Sequence, residues 1–348
     1  MKFLKYTLKV LAGIIALALS LFVIMVIVPE TETVKSIQPR KSTKYWKMSE
    51  GFKIAYTHLK SQDLIKKSPI VYLHGGPGGY IHSSVINALS EFTESGHDVY
   101  LYDQRGSGLS DRLEKFSDIS IKKHIKDLTE IVSEKINQEK VILIGHSFGA
   151  NIIAHYSVNH SDRVHKMIFS SPGELLPMRM VNKKYVDLDS VYPKPDTLKF
   201  KMVVGFVPEV DIAAIKPKSI IAGTAMLTDV KLVSDKQMDR LLNTLFTKVT
   251  KGMVCDTLNI RPEEGGAGLY AFIASNNDDV PDIRGKIKKL KIPVLVIQGQ
   301  CDYVPYSYAI EYAKLYPNGN YRLIEDAGHI IVWEQEEKYI KSIKEFLK

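Results

Sequence analysis

An apolar run, Val141-Ile142-Leu143-Ile144, stops abruptly at Gly145-His146-Ser147-Phe148-Gly149, and a second apolar segment begins after Ala150. The run predicts a buried strand, and the segment after it predicts a helix. Gly-x-Ser-x-Gly at a strand-to-helix junction demands a sharp turn. Its glycines let the backbone pass close to neighbouring elements and leave the serine hydroxyl exposed at the strand's end. Ser147 is therefore the candidate nucleophile. The pattern alone fits a tight turn with an idle serine equally well, because a chain of this size contains roughly 0.1 such matches by accident. What the rest of the chain supplies has to decide.

A serine hydroxyl attacks poorly at neutral pH unless a base takes its proton and an acid holds that base in the right tautomer. Both follow, in order. A strand predicted over 293–297 leads into Gly299-Gln300-Cys301-Asp302, and another over 321–324 leads into Glu325-Asp326-Ala327-Gly328-His329. Taken singly, Asp302 reads as an Asx-turn residue and His329 as a surface histidine. In a parallel sheet, however, their loops emerge at the same edge as Ser147, and the chain order Ser, Asp, His is that of the nucleophile-elbow arrangement. A strand over 70–73 runs into His74-Gly75-Gly76-Pro77-Gly78-Gly79. Its glycines keep side chains clear, so backbone N–H groups can approach a reacting oxygen. His74 and His146 read as structural.

The strands over 70–73, 99–102, 141–144, 166–170, 293–297 and 321–324 alternate with helical periodicity. One helix is expected to take Ser120 as its cap, with Ile121, Ile125, Leu128 and Val132 on one face, and the last carries Ile340, Ile343, Phe346 and Leu347. The alternation predicts an α/β chain: a mostly parallel sheet with helices on both faces. An antiparallel hairpin, 45–47 with 53–56 around Glu50-Gly51, opens it. Between about 173 and 287 only helices are predicted. Ser234-x-x-Gln237 resembles a capping box before Met238, Leu241, Leu242, Leu245, Phe246 and Val249, with Gly252 at the end. This insertion is placed to form a helical lid over a pocket. The predicted layout is a membrane anchor over 1–29, a tether over 30–42, a core split between 43–172 and 288–348, and the lid over 173–287.

Lys2, Lys5 and Lys9 precede an uncharged stretch over 10–28, long enough as a helix to cross a bilayer. A retained transmembrane helix is favoured over a cleaved signal peptide, whose apolar part would be shorter and end in small residues. Lysines on both sides weaken the charge asymmetry. The reading taken is N-terminus inside, a single-pass protein with its catalytic domain extracytoplasmic. The net charge of +8 over 348 residues comes from dispersed lysines without a basic block, so no nucleic-acid partner is expected. Cys255 and Cys301 are too few for a disulfide framework. Two small buried thiols are the favoured reading, with one bridge left open. Neither His-Glu-x-x-His nor paired Cys-x-x-Cys occurs, so no metal is expected.

His74-Gly75-Gly76-Pro77-Gly78-Gly79, Asp103-Gln104-Arg105-Gly106-Ser107-Gly108 and Gly145-His146-Ser147-Phe148-Gly149, with Asp302 and His329 behind them, resemble the α/β-hydrolase fold. Within it they look like the proline iminopeptidase (prolyl aminopeptidase) branch. The resemblance runs from about residue 43 to the C-terminus and is weak across the lid. It implies that Ser147 attacks a carbonyl, His329 moves the proton and Asp302 orients His329. The backbone N–H groups of Gly76 and Phe148 would form the oxyanion hole, an acyl-enzyme would follow, and no cofactor is involved. The expected substrate is a small molecule or short peptide. Phe148 departs from the tryptophan frequent in that branch, but the backbone donor survives the change. Peptidases of the branch bind the substrate's free amino terminus with lid acids. Glu174, Glu209, Glu263 and Glu264 are candidates, and none of them matches a motif. The alternatives are a carboxylesterase or lipase-like hydrolase, and a catalytically silent membrane-tethered binding module. Dehalogenase and epoxide hydrolase chemistry would want aspartate at position 147.

Overall fold

A computed structural model describes residues 2–29, 31–181, 183–194, 217–275 and 280–348. The strands are β1 (Thr43–Lys47), β2 (Lys53–Leu59), β3 (Ile70–Leu73), β4 (Val99–Tyr102), β5 (Val141–His146), β6 (Val164–Ser170), β7 (Met180–Val181), β8 (Lys184–Tyr185), β9 (Val294–Gly299) and β10 (Gly319–Ile324). Eight of them form one sheet in the order β1-β2-β4-β3-β5-β6-β9-β10. Within it only β2 runs against the others. The expected hairpin is β1 with β2, where Trp46 pairs with Ile54.

The strand order follows from composition. Strands β3 and β9 are buried along their whole length, as is β5 up to His146. A strand apolar on both faces is stable only between two other layers, so these three lie inside the sheet. Parallel neighbours need a crossover, and the crossovers supply the covering helices. Leu73, Leu143, Phe169 and Val296 face one apolar cluster, with residues of helices Phe148–Ser157 and Tyr306–Leu315. Tyr72, Ile142, Ile144 and Ile297 face the other, with residues of helices Ser83–Ser90 and Glu336–Leu347. Alternate residues along each strand thus feed opposite cores.

Helix Ile121–Glu130 is capped as expected, the Ser120 hydroxyl accepting from the Lys123 N–H. Helix Asp235–Val249 differs. Ser234 holds the N-cap position but its hydroxyl makes no cap bond, and its backbone carbonyl instead accepts from the N–H groups of Gln237 and Met238. Among the described residues between β6 and β9, the only strands are the exposed two-residue ribbon of β7 and β8. The N-terminal helix Lys2–Ile27 contains one stretch, Tyr6–Ile27, long and apolar enough to cross a membrane, and it is not buried in the rest of the chain.

One buried charge ties the first half together. Arg105, in the loop after β4, is fully buried and donates to both Asp127 oxygens at 2.6 and 2.5 Å, to the Asp118 carbonyl at 2.7 Å and to Glu50 at 3.2 Å. Lys126, Lys123 and Arg105 around Glu50 hold its carboxyl down at about 2. Removing one partner of a buried pair leaves the other charge desolvated and alone, which costs about 3–5 kcal/mol. Arg105→Met is expected to lower unfolding stability by about that amount, read from the urea midpoint. Adding Asp127→Leu should restore much of the loss.

Candidate active site

Strand β5 ends at His146 and a helix begins at Phe148, leaving Ser147 alone at the junction with φ 51° and ψ −114°. L-residues avoid this region, and it persists only where the surroundings over-determine it. The flanking glycines do so. A Cβ on Gly145 would lie 2.6 Å from the Gly149 carbonyl oxygen, and one on Gly149 would lie 2.5 Å from that of Leu73. The Ser147 N–H is tied to the Ser170 carbonyl at 2.9 Å.

Asp302 follows β9 and His329 follows β10, so both loops leave the sheet at the edge where Ser147 sits. His329 Nδ1 donates to Asp302 Oδ1 at 2.8 Å, and both side chains are buried. The same Asp302 oxygen accepts from the Val304 N–H, and the His329 N–H donates to the Met253 carbonyl. Ser147, His329, Gly75 and Gly76 line one cavity of about 480 Å³. Gly75 lies so close to Ser147 that a Cβ on it would sit 2.8 Å from the serine's Cβ. Phe148 occupies the first helical position, where an N–H has no carbonyl partner within the helix. Its buried ring packs edge-on against His124.

His74 is structural, as its position suggests. Its Nε2 accepts from the Gln104 N–H at 2.9 Å while Nδ1 donates to the Gly75 carbonyl, and burial pushes its pKa down to about 4. The imidazole thus joins the glycine loop to the loop after β4. His146 lies nearer the chemistry than its structural reading implies. It lines the cavity, its ring centre is 4.9 Å from that of His329, and burial holds its pKa well below the usual histidine range.

The cavity wall is mostly apolar, with Leu242, Leu245, Phe246 and Val249 from helix Asp235–Val249 and Trp333 from the other side. Among the described residues its one carboxylate is Glu263. Tyr80 donates to Glu263 at 2.5 Å, and burial raises the carboxyl's pKa. The other three acids are placed differently. Glu264 pairs with Arg40 and Ser83, Glu174 bonds to Tyr185 away from the cavity, and Glu209 lies outside the described residues. Sequence patterning treats the four alike. The missed signal was the glycine run after Glu264, since a Cβ on Gly266 would lie 2.5 Å from the Tyr80 ring, so this segment must pack tightly there. Tyr303, whose ring centre is 4.6 Å from that of His329, was also missed.

A family model described as the alpha/beta hydrolase fold matches residues 68–336. The chain belongs to the α/β-hydrolase family. It is 25% identical over 278 residues to a proline iminopeptidase of Saccharolobus solfataricus, covering 80% of this chain and 84% of that protein. Two solved structures share the fold. A bromoperoxidase from Bacillus anthracis has a TM-score of 0.62 and 19% identity, with 88% of this chain and 99% of that one covered. An esterase from Exiguobacterium antarcticum has a TM-score of 0.59 and 17% identity, covering 87% and 98%. Together these likenesses support a hydrolase of the α/β type.

One expectation is corrected. Cys255 and Cys301 are not separate thiols in this α/β-hydrolase; they form a disulfide, with Cα atoms 5.3 Å apart. Their separation of 46 residues gives no distance, and tertiary packing brings them together. The segment around Met253 to Cys255 lies along the His329 loop. Glu334 accepts from the N–H groups of both Cys255 and Gly328, at 2.9 and 2.6 Å. The bridge therefore joins the helical insertion to the residue before Asp302. A crosslink closing a loop of that length restricts the unfolded chain by about 4 kcal/mol. Paired Cys255→Ser and Cys301→Ser substitutions are expected to lower unfolding stability by about that much. An unchanged denaturant midpoint, or free thiols titrated in the unfolded unreduced wild type, would contradict the pairing.

Proposed function

We propose that this hydrolase is a membrane-anchored serine aminopeptidase that releases N-terminal residues from short peptides through an acyl-enzyme. The observation that carries the reading is Glu263, a half-buried carboxylate on the wall of the cavity that Ser147 and His329 share. Among the described residues, Tyr80 and His82 flank this carboxylate without a fixed cation of the Lys or Arg kind, and a substrate's terminal ammonium would supply a full counter-charge. The likeness to a proline iminopeptidase points the same way.

In this mechanism Ser147 Oγ bonds to the carbonyl carbon while His329 Nε2 takes its proton. Asp302 holds the Nδ1–H and stabilises the imidazolium. The carbonyl oxygen becomes an oxyanion held by the N–H groups of Gly76 and Phe148, each worth about 3 kcal/mol in the transition state. The C–N bond then breaks as His329 returns the proton to the departing amine. Water repeats both steps to free the acid and restore Ser147. His146 beside His329 is kept neutral by burial, so no second cation opposes the imidazolium. The helical insertion acts as the lid. Disulfides persist outside the cytoplasm, so the Cys255–Cys301 bridge supports an extracytoplasmic catalytic domain behind the apolar helix.

The apolar wall favours a second reading, a carboxylesterase or lipase-like enzyme. Substrates separate the two. With the full chain in detergent, a fluorophosphonate should label wild type and not Ser147→Ala. Glu263→Gln is expected to lower kcat/KM on aminoacyl arylamides about 10–100-fold, the value of one charge-assisted hydrogen bond, and to leave p-nitrophenyl esters unchanged. An equal loss on both, or esters as the sole substrates, would favour the esterase. Glu263 must be ionised to hold an ammonium and burial raises its pKa, so arylamide KM should rise as pH falls through that raised value. Ester KM should not. Gly75→Ala should displace Ser147 and slow fluorophosphonate labelling about 100-fold, with a lowered thermal midpoint.

A further inference from the structure

The chain that leaves the N-terminal helix does not hang free; it is fastened to the helical insertion. Lys218 Nζ, on helix Pro217–Gly223, donates to the Val28 carbonyl. Arg240 pairs with Glu32 at 3.3 Å, and the hydroxyls of Thr244 and Thr33 bond to one another. Further along, the Ile37 N–H donates to the Gly265 carbonyl, and Arg40 pairs with Glu264. Glu32 is five residues beyond Ile27, so extended chain can carry it at most roughly 17 Å from the helix end. Helix Asp235–Val249 and helix Pro217–Gly223 are therefore held beside the plane where an anchoring helix would leave the hydrocarbon.

The short helices beside that plane, Pro217–Gly223 and Ala225–Thr228, and the loop after them expose a run of apolar side chains. Ile220, Met226, Leu227, Val230 and Leu232 are all exposed, Leu227 at 90%. Single surface hydrophobes are ordinary, but five large ones within thirteen residues need a partner. We propose that this face of the insertion docks on the lipid surface of the bilayer that the N-terminal helix enters, its side chains lying at the boundary between headgroups and acyl chains. The proposal rests on the anchor reading. A lipid surface is chosen over a soluble protein because the face is continuous with the end of the apolar helix and strapped to it within a few residues. Interfacial helices bury their apolar face about 5–10 Å deep, within reach of the side chains named. Arg240 and Thr244 share their helix with Leu242, Leu245, Phe246 and Val249, so the wall of the substrate cavity would rest on the membrane surface.

Depth-dependent quenching in the full chain tests this. Leu17→Cys, Leu64→Cys, Leu227→Cys and Val230→Cys each receive a polarity-sensitive fluorophore, and the proteins are placed in phosphatidylcholine and phosphatidylglycerol vesicles with or without doxyl-labelled lipid. Leu64 is 98% exposed and precedes β3, at the opposite sheet edge from Ser147, so it reports water. Retained fluorophosphonate labelling shows that each variant is folded. Probes at 227 and 230 are expected to shift to the blue and lose at least half as much intensity to the quencher as the probe at 17, while the probe at 64 does neither. Quenching at 227 and 230 no greater than at 64, with 17 quenched, would overturn the docking and leave the anchor standing. An unquenched probe at 17 would overturn the anchor, and the docking with it.

Discussion

The backbone at Ser147 is held where an L-residue does not settle by itself, and the surrounding structure is arranged to keep it there. Gly145 and Gly149 are glycines because strand β5, the following helix and the end of β3 approach too closely for a Cβ. Those approaches exist because β3 and β5 are adjacent parallel strands with apolar side chains on both faces. The local strain is thus supported by two hydrophobic cores, one on each side of the sheet. The serine hydroxyl is carried outward as a result.

Around that point the polar framework is made of buried groups joined by hydrogen bonds, although among the described residues Gln104 Oε1 and Asp302 Oδ2 have no partner. His74 joins the glycine loop to Gln104, and Asp103 accepts from the N–H groups of Ile81 and Leu109. Burial alone would disfavour the Asp103 charge, and it lifts the carboxyl to about 6. Arg105 extends the same loop into Asp127 and Glu50. A loop fixed at both ends by charge-assisted bonds keeps little freedom of its own. The arrangement links packing directly to chemistry.

The helical insertion does a different job. It places apolar side chains and a single described carboxylate over the serine, and it is tied to the core by Cys255–Cys301 and to the N-terminal segment by Arg240 and Glu264. Its position therefore depends on contacts outside itself. The failed serine cap at Ser234 fits this, because the backbone carbonyl alone satisfies the first amides and tertiary contacts hold the helix.

The sheet was legible in the sequence because its signals are local. A continuous apolar run bounded by polar and turn-forming residues marks a buried strand, and the limits of β3 and β4 coincide with such runs. That Ser147, Asp302 and His329 share one sheet edge was legible for a related reason, since parallel strands deliver the loops that follow them to one edge. Which of four glutamates faces the cavity, whether two cysteines 46 residues apart meet, and that Tyr80, Tyr303 and His146 surround the site were not legible. Each depends on how an irregular helical segment packs against loops far away in the chain, and no periodicity records that. The sequence determined by itself the strand pattern, the sharp turn and the order of the chemistry-bearing residues, because these follow from hydrophobic spacing and backbone sterics. The tertiary structure alone decided the polarity of the cavity and its attachment to the N-terminal helix, because those arise from contacts between segments that no local rule connects.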